Sequence, residues 1–269
     1  MKTLISTLIL GSLISTGLLT SSSEKPAHPA PAVAIGKADQ PASPLSINEV
    51  LRAHNALQNS ELLSACDGEA VRLTSRPAGG DRELPSFFER HVSVVWAGTA
   101  YKRYTADPLR QREQFDLSDG SVHYHAVNES GIAVEEANPM TDSQSRGVEF
   151  GIKTFGLVPI LKQLAAPTTE AVYLGRTAYR QDKFDIKTAT DRWALYTDME
   201  HLVSRIEVGD KAIEYASYRS VDGVRLPFIQ RLSIGGHLVQ ELVFTRIALN
   251  PKLASNCFKR ETLSKQIAH

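Results

Sequence analysis

The sequence predicts a mainly β protein of the α+β class: a large antiparallel meander whose one apolar side is covered by helices. Three observations carry this reading. Short segments alternate with period two, so that in His91 to Trp96 the side chains of Val92, Val94 and Trp96 point one way and those of His91, Ser93 and Val95 the other, and the pattern returns in Phe184 to Ile186 and Trp193 to Leu195. Tight turn dipeptides separate such segments, which makes hairpins, because parallel strands need a long crossover. Helical spacing is seen only near the start and the middle. A sheet with one apolar side must cover that side or close around it.

Residues 1–23 read as a secretory signal peptide. Lys2 supplies a positive n-region and Leu4 to Leu19 an apolar stretch shorter than the roughly 20 residues of a spanning helix. Small residues Ser21 to Ser23 offer a cleavage site, with a later one among the alanines as the alternative, and no cysteine stands at this point to accept an acyl chain. Residues 24–45 are rich in Pro, Ala and Ser without a periodic apolar face, the composition of a flexible linker. The folded domain is expected over residues 46–260, with 261–269 as a tail. It opens with a helix: Ser46 and Glu49 have the spacing of a capping box, and Ile47, Val50, Leu51, His54 and Leu57 share a face. His54 on that face reads as a hydrogen-bonded core histidine without chemistry.

About ten strands are expected after the helix. Asp119-Gly120 divides the strand ending near Leu117 from Ser121 to Val127, Gly209-Asp210 divides His201 to Val208 from Lys211 to Arg219, and Gly235-Gly236 divides Val224 to Ile234 from His237 to Leu249. The ladder is interrupted at Val148 to Ala165, where Phe155, Val158, Ile160, Leu161 and Leu164 cluster; Pro159 divides this stretch into two short helical pieces and Pro167 closes it. A helix packed on the core and a lid over the sheet both fit that pattern.

Chemistry-bearing motifs are scarce. Thirty Lys and Arg balance thirty Asp and Glu, so no basic field points to nucleic acid. His123 and His125 flank Tyr124 on a strand, and their i, i+2 spacing puts both rings on one face, but no spacing selects a third ligand from His91 or Glu113, so the expectation is two solvent-facing histidines and no metal. Neither a Gly-x-Ser-x-Gly elbow nor a His-Glu-x-x-His helix is present, and no cofactor or catalytic group is assigned. Cys66 and Cys257 are the only cysteines, and in an exported chain they are expected to form one disulfide tying the helix end to the C-terminal segment. Two separate buried thiols are the alternative.

The second half resembles the LolA/LolB-like proteins of outer-membrane lipoprotein sorting and their periplasmic relatives. The resemblance rests on Trp193-Ala194-Leu195-Tyr196-Thr197-Asp198 leading into His201 to Val208, on the hairpin Tyr218 to Phe228, and on the ending Asn250-Pro251-Lys252-Leu253 with Phe258. It implies a strongly curved antiparallel sheet, an unclosed barrel, with helices over its concave mouth and an apolar cavity between, and a periplasmic protein that binds acyl chains. The long Pro/Ala leader, the insertion around Arg76 to Ser86 and the missing acyl-acceptor cysteine set the chain apart from a simple LolB equivalent.

These readings combine into an exported, non-catalytic protein that holds a hydrophobic ligand, a lipid or lipid-modified chain. The candidate contacts are Val92, Val94 and Trp96, Trp193 and Leu195, and Phe155, Leu157, Ile160, Leu161 and Leu164 from the helical interruption, because they supply large apolar surface where a cavity would form. The same residues would equally fill a dry core. An adaptor or sensor that acts on an envelope protein through a sheet edge or through the 76–90 loop is the alternative function.

Overall fold

The computed structural model describes residues 44–75, 87–189 and 191–261. The signal peptide, all but the end of the linker, the 76–86 insertion and the last eight residues of the tail lie outside the described residues. Thirteen strands form one antiparallel sheet: β1 (Ala65–Ser75), β2 (Phe87–Ala97), β3 (Ala100–Asp107), β4 (Arg112–Ser118), β5 (His123–Glu129), β6 (Ile132–Pro139), β7 (Glu170–Arg176), β8 (Asp182–Lys187), β9 (Arg192–Thr197), β10 (Val203–Val208), β11 (Lys211–Val221), β12 (Val224–Ile234) and β13 (His237–Leu249). The ladder therefore has three strands more than the alternation revealed. Its last two strands keep the bounds read from the turn dipeptides.

The order across the sheet is β6-β5-β4-β3-β2-β1-β13-β12-β11-β10-β9-β8-β7. First and last strands pair in the middle, Cys66 opposite Leu249 and Thr74 opposite Gln240. The meander thus runs outward to one edge, crosses over, and returns from the other edge. β6 and β7 are the free edges and do not pair, so the sheet is a half-barrel and not a closed one. The crossing is made by the only long helical segment among the described residues, which ties one free edge to the other over the concave face.

That segment is α2 (Asp142–Thr154), a 3₁₀ turn (Phe155–Leu157) and α3 (Val158–Leu164). The two expected helical pieces are present, but the first begins at Asp142 and not near Val148. Thr141 caps it: its hydroxyl accepts from Gln144 N and the Gln144 amide oxygen accepts from Thr141 N, a reciprocal capping box. The helix stops where Gly156 (φ 62°) and Leu157 (φ 67°) adopt left-handed backbone, and Pro159 in the first turn of α3 fits a restart because that N–H has no helical partner to lose.

The opening helix α1 spans Ile47–Ala53, with the Ser46–Glu49 capping box formed in both directions. Val50 and Leu51 are buried, but Leu57 is exposed, a correction to the expected stripe: Asn55 at φ 56° ends the helix, and Ala56 takes the inward place instead. His54 is fully buried. Its Nε2 accepts from Val203 N (3.0 Å), which fixes the proton on Nδ1, and Nδ1–H donates to the Arg225 carbonyl (2.7 Å). Burial pushes its pKa down to about 4, so it is the neutral, hydrogen-bonded core residue the sequence suggested.

Candidate functional site

Cross-strand partners point to the same face, so the register sorts every side chain into concave or convex. From β7 to β13 the concave face is apolar: Phe184, Ile186, Trp193, Leu195, Ile206, Ile213, Leu226 and Phe244 are buried in one cluster. On β1 and β2 the inward row adds Ala70, Val92, Val94 and Trp96. The cover contributes Phe155, Leu157, Ile160, Leu161 and Leu164 to the same cluster. All ten candidate contacts are therefore brought together, and none is more than 7% exposed. In this conformation they pack on one another as a filled core.

The break in the cover is the best-anchored part of it. Phe155 lies so close to β1 that a Cβ on Gly68 would sit 2.6 Å from its ring, and it meets Phe244 edge-on at 4.9 Å between centroids. The Tyr215 hydroxyl donates to the Thr154 carbonyl (3.2 Å), and Gly156 N donates to Gln230 Oε1 (3.2 Å). Two polar side chains of the concave face thus satisfy backbone groups that the helix break would otherwise orphan.

From β3 to β5 the assignment reverses. The concave residues are Tyr101, Arg103, Thr105 and Asp107 on β3, Arg112, Gln114, Asp116 and Ser118 on β4, and His123, His125, Val127 and Glu129 on β5. Asp116 is 1% exposed and accepts from Arg103 Nε (2.7 Å), His125 Nδ1 (2.7 Å) and Gln114 Nε2 (3.1 Å). Burial alone would raise its pKa, but the Arg103 charge and the His125 hydrogen bond outweigh burial and hold it below the usual carboxylate range. The Tyr101 hydroxyl lies 3.0 Å from His123 Nδ1, while His123 Nε2 reaches Glu149 of α2 at 3.0 Å. The two histidines therefore face inward into a hydrogen-bonded network, which corrects the expectation that they face solvent. His91 and Glu113 belong to the convex face, where the Tyr104 hydroxyl donates to Glu113 Oε1 (2.5 Å), so neither joins them.

On the convex side of the same strands, Phe115, Leu117 and Ala126 form a second small core with Tyr104 and Tyr124. The C-terminal segment reaches this face: Arg260 lies 5.4 Å over the Tyr124 ring, and the Cys257 thiol interacts with Lys102 and Asp67. Asp67, Val95 and Lys102 form one convex row, whereas Cys66, Trp96 and Tyr101 form the neighbouring concave row. Cys66 and Cys257 accordingly lie on opposite faces of β1, and both are free thiols. The expected disulfide is not formed, because Cys66 points into the core, where burial pushes its thiol up to about 12.

Neither a protein-family model nor a curated protein matches the chain. Solved structures do. A LolA superfamily protein from Nitrosomonas europaea aligns with TM-score 0.55 at 13% identity, covering 81% of this chain and 99% of its own. A DUF1329 family protein from Desulfovibrio piger aligns with TM-score 0.52 at 12% identity, covering 80% of this chain and 99% of its own. The fold is LolA-like. At such identity the likeness shows the fold alone, and it carries no residue of the polar wall. No alternation in the sequence announces that wall, since Tyr101 to Asp107 has no apolar side to count.

Proposed function

We propose that this chain is an exported, non-catalytic carrier that holds a lipid or lipid-modified chain between the concave face and the α2–α3 cover. One observation carries the reading: the cover joins the two free edges of an unclosed LolA-like sheet, is apolar beneath, and is interrupted at the left-handed pair Gly156 and Leu157, where Gly156 N bonds to Gln230 and the neighbouring Thr154 carbonyl to Tyr215. A ligand would enter by exchanging cover-to-sheet contacts for ligand-to-sheet contacts, which costs little apolar burial on either side of the exchange. Trp96, Trp193 and the other candidate contacts are then the surface that changes partners. The acyl-chain binding implied by the LolA-like resemblance supports the same reading, and so does the apolar leader 1–23, which would deliver the mature protein to a periplasm.

Mass spectrometry of the gently purified mature protein should detect a co-purified lipid, and a fluorescent fatty acid should bind and be displaced by it. An empty protein with no affinity for any such probe would end the carrier reading. N-terminal sequencing of the exported protein should begin after residue 20; an intact Met1 chain recovered with the membrane would overturn the export step. The adaptor reading keeps one specific support, the free edge strand β7, which presents Val172 and Leu174, each 56% exposed.

A further inference from the structure

Among the described residues, one charge on the concave face has no hydrogen-bond or ion-pair partner. Arg72 of β1 points inward beside Ala70 and Gly68, and its direct cross-strand neighbours are Leu242 on β13 and Arg90 on β2. Like charges directly opposite each other on one face are destabilising. The carboxylates nearby are already taken: Asp116 by Arg103, His125 and Gln114, and Asp107 by Arg90 Nε (3.3 Å) and Arg110 N (3.2 Å). Among the described residues no hydrogen bond or ion pair holds the Arg72 guanidinium, and its Nε is buried without a partner. Burial, and then the charges of Arg103 and Arg90, push its pKa down to about 9 against the smaller opposing pull of Asp116 and Asp107. Two strands away, the Thr105 hydroxyl is also buried and unpartnered on the same face, in the row between the Arg90–Asp107 and Arg103–Asp116 pairs. With the Arg112–Glu129 pair at its rim (3.4 Å), four guanidiniums meet three carboxylates on the strands of this wall, and the orphaned Thr105 hydroxyl lies near the excess one, Arg72.

Arg72 is half-buried with its Nε enclosed and unpartnered, and a partly desolvated guanidinium without a counter-charge is a site that something else can complete. Its planar fork matches carboxylate and phosphate oxygens. Position adds the second half of the argument. Arg72 stands on the seam of the two walls: Leu242 and Phe244 of the apolar half lie on one side, with Phe155 of the cover above them, and Arg90, Arg103 and Thr105 on the other. Arg103 itself runs beneath α2 at Gly151, where a Cβ would stand 3.9 Å from its guanidinium nitrogen, so the cover also roofs the charged side. We infer that Arg72, assisted by Arg90, Arg103 and Thr105, is the subsite for the anionic head group, carboxylate or phosphate, of an amphiphile whose chain lies along the apolar wall beneath α2–α3. The inference rests on the carrier reading and names its ligand class.

Titration calorimetry of the mature protein with dodecyl phosphate, dodecanol and inorganic phosphate tests both and separates them. Dodecyl phosphate should bind at least ten-fold more tightly than dodecanol, and Arg72→Met should abolish that preference while leaving dodecanol unchanged. Unliganded Arg72→Met should also melt slightly higher, since it removes an unpaired, half-buried charge and keeps the side chain's length. Equal affinity of the native protein for the phosphate and the alcohol would overturn the anion subsite and leave the carrier standing. Inorganic phosphate bound as tightly as dodecyl phosphate would keep the subsite and overturn the carrier. A lower melting temperature for both Arg72→Met and Arg72→Gln would make Arg72 a structural partner and end the proposal, as would indifference to all three probes.

Discussion

The two walls of the half-barrel obey the same register rules and reach opposite solutions. From β7 to β13 the inward rows are mainly apolar, with Tyr215 and Gln230 turned to the cover, and the convex rows are wet, the usual arrangement for an antiparallel sheet. From β3 to β5 the inward rows carry Arg103, Asp116 and two histidines, while Phe115 and Leu117 pack outward beneath the C-terminal segment. Histidine shows the contrast in one residue type. His54 accepts from a backbone N–H on the apolar side and must stay neutral, whereas His125 sits against a carboxylate on the polar side. A half-barrel of this kind has a chemically divided interior, which a purely apolar cargo would not require.

Deleting one partner from the polar wall should be the most disruptive test of this division. Asp116→Ala leaves Arg103 buried without its carboxylate and should cost about 3–5 kcal/mol by denaturant unfolding. Leu195→Ala on the other wall should cost about 2–5 kcal/mol from lost burial and the residual cavity. The exposed pair Asp185–Arg192 is the control, expected to contribute little because solvent screens it, although its closest approach is 2.6 Å. If Asp116→Ala cost no more than this control, the polar wall would be solvated and the contrast would collapse.

A pH titration probes the apolar side. His54 in the folded state has its pKa near 4 against the ordinary 6.5, so between these values the unfolded chain binds more protons than the native one. Its contribution is fully present above pH 6.5 and is lost as pH falls toward 4, about 3 kcal/mol in all. Comparing unfolding free energies at pH 7 and pH 4 for the native protein and His54→Gln should show the native protein falling more steeply by that amount. Parallel curves would mean that the ring is solvated and that α1 is not locked to Arg225 and Val203.

Much of the apolar wall was legible in the sequence because burial on one face leaves a period-two trace. Val92, Val94 and Trp96 read inward correctly, and β12 and β13 were bounded by their glycines. The polar wall left no such trace, because strands with charge on the inner face and aromatic residues on the outer face look like solvated or irregular segments. The first half of α2 was missed for a related reason: Arg146 and Gly147 break its apolar stripe, and only the Thr141–Gln144 capping spacing marks its start. Nothing local could show that Arg72 lacks a partner, since its neighbours Leu242, Arg90 and Arg103 come from three other strands.

The hinge of the cover should give a smaller effect. Gln230→Leu removes the acceptor of Gly156 N–H and leaves a buried donor unsatisfied, a loss of about 1–3 kcal/mol. If the cover moves as a unit, that loss should fall on local opening: amide exchange should quicken at Gly156 and through α3 before it quickens in β12 and β13. Uniform acceleration over the whole sheet would instead make the cover an inseparable part of the core.

The smallest expected effect concerns the cysteines, and it sharpens the face assignment. Thiol titration of the unfolded, non-reduced protein should find two free thiols, and adding a reductant should leave the melting temperature unchanged. A bridge between Cys66 and Cys257 would need Cys66 on the convex face, beside Lys102. In a strand that requires a one-residue slip, which would carry Gly68, Ala70 and Arg72 outward with it and turn Asp67 and Glu69 into the core beneath Phe155. Two carboxylates buried in that apolar site would cost far more than the roughly 4–5 kcal/mol a long-loop disulfide returns in the chain-entropy model. Finding no free thiol would therefore contradict the register of β1 itself, and with it the inward placement of Arg72.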